Sequence, residues 1–126
     1  MNIFLDDIRE PNMSHNKTKG LGNEYSDSNK WIIIRDYFSF IKFLDDNIEN
    51  ITLISFDHDI ASYKDSKEYT GKDAANYLIE ICLDNSLKMP KWYVHSDNTV
   101  GAHNINSILH NYVRVVEQFK GPNHHL

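Results

Sequence analysis

The side chains of this sequence that can do chemistry concentrate in three short stretches. Asp6-Asp7 is an adjacent acidic pair, and Asp57-His58-Asp59 sets an imidazole between two carboxylates. His95-Ser96-x-Asn98 puts a second imidazole beside a hydroxyl and an amide. Carboxylates that meet at one point repel each other unless something positive joins them. A hard divalent cation with oxygen ligands answers that need, and Mg²⁺ or Mn²⁺ suits a carboxylate-and-water site. His58 and His95 admit two uses: general acid and base near neutral pH, or ligands for a softer Zn²⁺ or Fe²⁺. His103 is a candidate to join them, whereas His15 and His110 stand apart from these clusters. Arg9 and Arg35 each follow an apolar run, and Lys72 follows Gly71. A guanidinium matches a phosphate's paired oxygens, although salt bridges to neighbouring aspartates would use the same groups.

These stretches can meet only if the chain lays them side by side. Asn2-Ile3-Phe4-Leu5 is an apolar run that stops abruptly at Asp6, which reads as a buried strand ending in carboxylates. Trp31-Ile32-Ile33-Ile34 reads as a second strand, without polar alternation and therefore covered on both faces. Phe38, Ile41, Phe43, Leu44 and Ile48 recur at helical spacing between Tyr37 and Ile48. A third strand, Ile51 to Phe56, ends at Asp57, and a polar loop with Ser62, Lys64, Asp65, Ser66 and Lys67 follows. Thr70 is a helix cap, with Asp73 three residues on completing an imperfect capping box. The helix behind it carries Ala74, Ala75, Leu78, Ile81 and Cys82 inward. Pro90 precedes a fourth strand, Trp92-Tyr93-Val94, and Gly101 opens a last helix with Ile105, Ile108, Leu109, Tyr112, Val113 and Val116 on one face. Glu10 to Asn29 reads as a long loop, the kind that serves as a lid or binding loop.

Strands alternating with helices predict an α/β fold with a parallel sheet and right-handed crossovers. The carboxyl ends of such strands lie along one edge, where ligands bind. Asp6, Asp7, Asp57, His58, Asp59, His95, Ser96 and Asn98 are therefore expected to converge. Helix starts near Gly71 and Gly101 would aim free N–H groups at the same edge, which suits an anion.

With 126 residues the chain is expected to be one domain, 1–126, with its core in about 2–119 and an unpatterned tail over 120–126 holding His124 and His125. A net charge of -5 argues against wrapping duplex DNA but not against a nucleotide held through a cation. Cys82 is the single cysteine, so no intramolecular disulfide forms, and its apolar setting makes it a small core residue. No apolar run is long enough to span a membrane and no signal-peptide pattern opens the chain, so a cytoplasmic protein is expected.

Taken together, Phe4-Leu5-Asp6-Asp7-x-Arg9-x-Pro11, Ser55-Phe56-Asp57-His58-Asp59, Thr70-Gly71-x-Asp73 and His95-Ser96-x-Asn98 with Gly101 and Asn104 resemble the cyclic-phosphate processing receiver-like domain. The match runs from Asn2 to about Val116, and its specificity lies in the four motifs in order. The resemblance implies a small, truncated receiver-like (flavodoxin-like) parallel sheet of about four strands flanked by about three helices. In the related receiver domains an acidic pair after the first strand binds Mg²⁺ and an Asp after the third accepts a phosphoryl group; Asp6, Asp7 and Asp57 match those positions, and Ser96 matches a hydroxyl after the fourth strand. The sequence departs from a receiver in lacking a fifth strand with its lysine and in adding His58, Asp59 and His95.

The expected activity is metal-dependent hydrolysis of a cyclic phosphate, either a 2′,3′-cyclic end, as in RNA repair, or a cyclic nucleotide. Asp6, Asp7, Asp57 and Asp59 would hold the metal; Asp57, His58 and His95 would carry the reaction; Arg9, Arg35, Lys72, Ser96, Asn98 and Asn104 would bind substrate. One alternative is a metal-free reaction by the two histidines. Another is a non-catalytic or signalling receiver-like domain that binds Mg²⁺ and a phosphate ligand or a protein partner. A third is a cap on a larger assembly through Tyr25, Trp31, Tyr63 and Tyr69. The sheet edge beyond the fourth strand needs cover, and an oligomer is one way to supply it.

Overall fold

Apolar runs of three or four residues pair into one parallel sheet whose strands all end on the same side. The computed structural model describes residues 1–13 and 24–117. Strand β1 (Asn2–Leu5) lies between β2 (Ile32–Ile34) and β3 (Leu53–Phe56), and the fourth strand of the sheet, Lys91–Val94, lies outside β3. Leu5 pairs with Ile34 and with Phe56, and Phe56 pairs with Val94, so the strand ends are level. Helix α1 (Tyr37–Asn47) connects β2 to β3, α2 (Gly71–Asp84) precedes the fourth strand of the sheet, and α3 (Thr99–Tyr112) follows it. Four parallel strands and three helices are what the sequence predicts.

The segment expected as a polar loop is instead an antiparallel hairpin of β4 (Ser62–Lys64) and β5 (Lys67–Tyr69), which makes the fourth strand of the sheet β6. Asp65 and Ser66 both take positive φ, 53° and 65°, the backbone of a two-residue turn matched to hairpin twist. The hairpin is tied to the start of α1: Ser62 Oγ accepts from the Tyr37 N–H at 2.9 Å, and Tyr69 stacks on Tyr37.

All three helices cover one face of the sheet. Phe40, Leu44 and Ile48 from α1 and its end, Leu78 and Cys82 from α2, and Ile105 and Leu109 from α3 pack with Ile3, Leu5, Ile54 and Phe56. Phe40, not Phe38, is the buried aromatic of α1; Phe38 packs edge-on against Tyr69. The reciprocal Thr70–Asp73 capping box is complete. Helix α3 starts at Thr99, two residues before Gly101, because the Asn98 side chain caps it.

The other face carries Phe4, Leu53, Ile33 and Tyr93 and is covered by Tyr25 and Trp31. These two rings stack at 5.3 Å, and Trp31 Nε1 donates to the Glu24 carbonyl at 2.6 Å. Tyr25 is fully buried and Trp31 nearly so, which removes both from any assembly surface; Tyr63 is exposed. Strand β2 is an edge, and Ile32 on it faces solvent instead of being covered on both sides. Cys82, the single cysteine, is buried. Among the described residues no helix is long and apolar enough to cross a membrane. His15, His124 and His125, the middle of the long loop and the tail lie outside the described residues.

Candidate active site

Three backbone hydrogen bonds extend the sheet by one rung past its last paired residues. The Asp6 N–H donates to the Ile34 carbonyl at 3.1 Å, Asp57 N–H to Leu5 at 2.9 Å, and His95 N–H to Phe56 at 2.9 Å. Asp6, Asp57 and His95 therefore stand side by side although 89 positions separate the first from the last. Side chains alternate along strands, so these three continue the rows of Phe4, Ser55 and Tyr93 on the face opposite the three helices. Asp57 and His58, adjacent in sequence, diverge to opposite faces. His58 turns to the helical side and lies on Gly101, where an added Cβ would come within 2.3 Å of the imidazole Cγ. Gly71 allows a still closer approach: its Cβ would lie 1.9 Å from the Asp57 carbonyl oxygen, and its N–H donates to the His58 carbonyl at 2.7 Å.

Asp6, Asp7 and Asp57 each place a carboxylate oxygen within 4.8 Å of the others, the one such ligand group among the described residues. Asp6 and Asp57 are buried and Asp7 is half-buried. Asp6 Oδ1 accepts the N–H groups of Ile8 at 3.0 Å and Arg9 at 2.9 Å, and Oδ2 accepts from His95 Nε2 at 3.0 Å. Burial pushes the Asp6 carboxyl up, but the His95 bond and these two N–H groups outweigh it and hold the group at about 2. Asp57 is shifted the opposite way: burial raises it first and the Asp6 charge second, against smaller relief from hydrogen bonds with Ser96 and the His58 N–H. Two neighbouring carboxylates, one firmly ionised and one resisting ionisation, are what an all-oxygen site for a hard cation presents when its own charges are unbalanced. The donor set fits Mg²⁺ or Mn²⁺. Neither His58 nor His95 is among its ligand atoms.

The histidines do different things. His95 is 2% exposed, stacks on Phe4 at 4.2 Å, and has both nitrogens engaged, Nε2 by Asp6 and Nδ1 by Ser55 Oγ at 2.7 Å. It stands behind Asp6, not in front of a ligand. The His58 side chain is 15% exposed, and its Nδ1 meets Asp59 Oδ1 at 2.8 Å. Asp59 lies outside the carboxylate group, with the His58 hydrogen bond lowering its pKa most, against slight burial and with help from Asn98. Asn98 donates to Asp59 Oδ2 at 3.2 Å while its own oxygen accepts the Gly101 N–H at 2.8 Å.

The other predicted residues divide between the site and its frame. Ser96 bonds to Asp57 and accepts the Asn98 N–H at 3.1 Å. Arg9 lies against Asp6, with Nε 3.9 Å from Oδ2, and donates from Nη2 to Asp97 at 2.6 Å. Its Nη1 is buried with no hydrogen-bond partner among the described residues. Arg35 donates to the carbonyls of Arg9 and Asp6 and so braces the turn that carries them. Lys72 is exposed at the start of α2, and Asn104 is half-buried in α3. The N–H groups expected to await an anion at Gly71 and Gly101 are taken by His58 and Asn98. His103 is exposed beside Ser107, and His110 packs on Trp92, both remote in role from the acidic group.

Ser55 stands in one of the four motifs, but the sequence assigns it no role. It is fully buried in β3 and joins the Tyr25 hydroxyl, at 2.5 Å, to His95. The signal was one hydroxyl inside the apolar run Leu53-Ile54-Ser55-Phe56. A family model described as the cyclic-phosphate processing receiver domain matches residues 1–111. No curated protein and no solved structure matches the chain.

Proposed function

We propose that this chain, which belongs to the cyclic-phosphate processing receiver domain family, is a cation-dependent phosphodiesterase that opens a cyclic phosphate by hydrolysis. The observation that carries the reading is the Asp6–Asp7–Asp57 oxygen group at the carboxyl ends of β1 and β3, followed directly in the chain after Asp57 by the hydrogen-bonded His58–Asp59 pair. A receiver-like signalling domain has use for the three carboxylates. It has none for an imidazole held in one orientation by a carboxylate, which is how a general base is prepared.

Asp7 and Asp57 would supply most of the cation's protein oxygens, because three of the Asp6 lone-pair directions already accept hydrogen bonds. When bound, Mg²⁺ or Mn²⁺ supplies positive charge to the phosphoryl oxygens and acidifies water. Asp59 accepts from His58 Nδ1–H, which leaves Nε2 as the basic nitrogen. Nε2 takes a proton from the attacking water as the water oxygen bonds to phosphorus. One ring P–O bond breaks, the departing ribose oxygen takes the proton, and the product is a phosphomonoester. Arg9, whose Nε lies 3.9 Å from Asp6 Oδ2, would add positive charge beside the phosphoryl group. Ser96 and Asn98 hold Asp57 and Asp59 in place.

The substrate class follows from size and charge. The site sits on a protein of net charge -5, so phosphate recognition relies on Arg9 and the cation instead of a basic groove. A 2′,3′-cyclic phosphate, free or at an RNA end, or a cyclic nucleotide meets that description. The test is ³¹P NMR of a panel of 2′,3′-cyclic mononucleotides, an RNA with a cyclic end, and cyclic di- and trinucleotides, with Mg²⁺, with Mn²⁺ and with chelator. Conversion of one class to a phosphomonoester, abolished by chelator, is expected. Tight cation binding with no turnover of any member would make the chain a non-catalytic receiver-like module.

A further inference from the structure

Behind the acidic group a line of four side chains crosses the face opposite the three helices. Tyr25 OH lies 2.5 Å from Ser55 Oγ, Ser55 Oγ 2.7 Å from His95 Nδ1, and His95 Nε2 3.0 Å from Asp6 Oδ2. Every member is at most 2% exposed, so bulk solvent does not reach these groups. Their protons can then be placed by counting donors and acceptors.

Asp6, ionised at neutral pH, only accepts, so His95 Nε2 carries a hydrogen. If Nδ1 also carried one, it would donate to Ser55, Ser55 would donate to Tyr25, and the Tyr25 proton would need another acceptor. Ser55 is the hydroxyl's one hydrogen-bond partner among the described residues. The reverse order satisfies every atom: Tyr25 donates to Ser55, Ser55 to Nδ1, and Nε2–H to Asp6. Bonds aligned head to tail in a dry interior strengthen one another.

We infer that Tyr25 and Ser55 are positioning residues of the cation site: they fix His95 as the Nε2–H tautomer, which in turn fixes the direction of the Asp6 carboxylate. This rests on the cation-site reading above. Hydrogen-bond partners of ligating groups commonly set ligand orientation in this way. The consequence is a link between the chain after residue 23 and the chemistry. Tyr25 enters from that segment, stacked on Trp31 and edge-on to Phe4, so the seating of the segment on the open face is felt at Asp6.

The experiment uses the full chain and three proteins: wild type, Tyr25→Phe and Ser55→Ala. ¹H–¹⁵N spectra of the His95 ring report its tautomer, and Mn²⁺ titration by calorimetry reports affinity. Wild type should show Nε2–H alone. Ser55→Ala should show mixed tautomers and bind Mn²⁺ about tenfold more weakly. Tyr25→Phe, which keeps the ring packing, should weaken binding about threefold with the amide spectrum otherwise native. A general loss of packing would not alter the ring tautomer in a natively folded variant. If both variants keep the wild-type tautomer and affinity, this inference is overturned alone. If wild type binds no Mn²⁺, the cation-site premise fails and takes the inference with it.

Discussion

The two faces of the sheet are built on opposite plans. The helical face is apolar throughout, with Leu5, Ile54 and Phe56 buried under residues of all three helices. The opposite face has the same strands and the same pairing, yet it holds Ser55, His95 and Asp6 in line beneath Tyr25 and Trp31. Alternation along β1 and β3 sends neighbouring residues to one plan or the other: Phe56 to packing, Ser55 and Asp57 to the polar line. The contrast teaches that this domain draws cohesion from one side and orients its carboxylates from the other. It also separates the histidines, His95 being fixed in the interior and His58 standing at the rim.

The sharpest way to break that contrast is to cut each face in turn. Phe56→Ala should destabilise the fold by about 3–5 kcal/mol in urea unfolding, the usual cost of emptying a buried aromatic site. Tyr25→Phe should cost only about 1 kcal/mol, the net worth of one hydrogen bond. Equal losses from the two variants would erase the distinction.

Next in size is the response to a cation. Mn²⁺ at about a hundred times its dissociation constant should stabilise the wild type by about 2.7 kcal/mol, read as a shift of the thermal midpoint. Asp57→Asn should lose that shift. Without any cation the same variant should be more stable than wild type. Asp57 is raised in the fold, so its ionisation opposes folding and stability falls as pH rises through its folded pKa. A less stable Asp57→Asn protein in chelator would contradict the charge imbalance described for the site.

Asp6 gives the opposite sign. Its folded value of about 2 lies below the ordinary 3.8, so its contribution is present above about pH 4 and is lost as pH falls toward 2. The difference corresponds to about 2 kcal/mol. Urea midpoints of wild type between pH 2 and 5 should therefore steepen relative to Asp6→Asn. Parallel slopes would mean that His95 and the Ile8 and Arg9 N–H groups do not hold the carboxylate ionised.

Much of the site was legible because an apolar strand that stops at an acid announces both its own end and its ligand. That logic placed Asp6 and Asp57 on one edge before any coordinates, and the level register of Leu5, Phe56 and Val94 brings them together. What resisted reading has physical causes. Periodicity says which residues of a helix face inward but not which face of the sheet they cover, so the one-sided helices were invisible. Tyr25 sits in a polar stretch and reads as surface until the missing helix exposes a face for it to fill. Tyr37-Phe38-Ser39-Phe40 offers three aromatics to one helical turn, and spacing alone did not choose Phe40. The hairpin turn uses Asp65-Ser66 where a glycine would have signalled positive φ. Histidine roles were hardest, because His58 and His95 differ in the alternation of one residue past a strand end.

The most direct measurement is the initial rate on a 2′,3′-cyclic nucleotide as a function of Mn²⁺ concentration, for wild type and for Asp57→Asn. Cation-assisted ring opening predicts a rate that saturates with Mn²⁺ and vanishes with chelator, and that falls at least about 100-fold in the variant. Turnover that survives chelation, or is undiminished in Asp57→Asn, would contradict it.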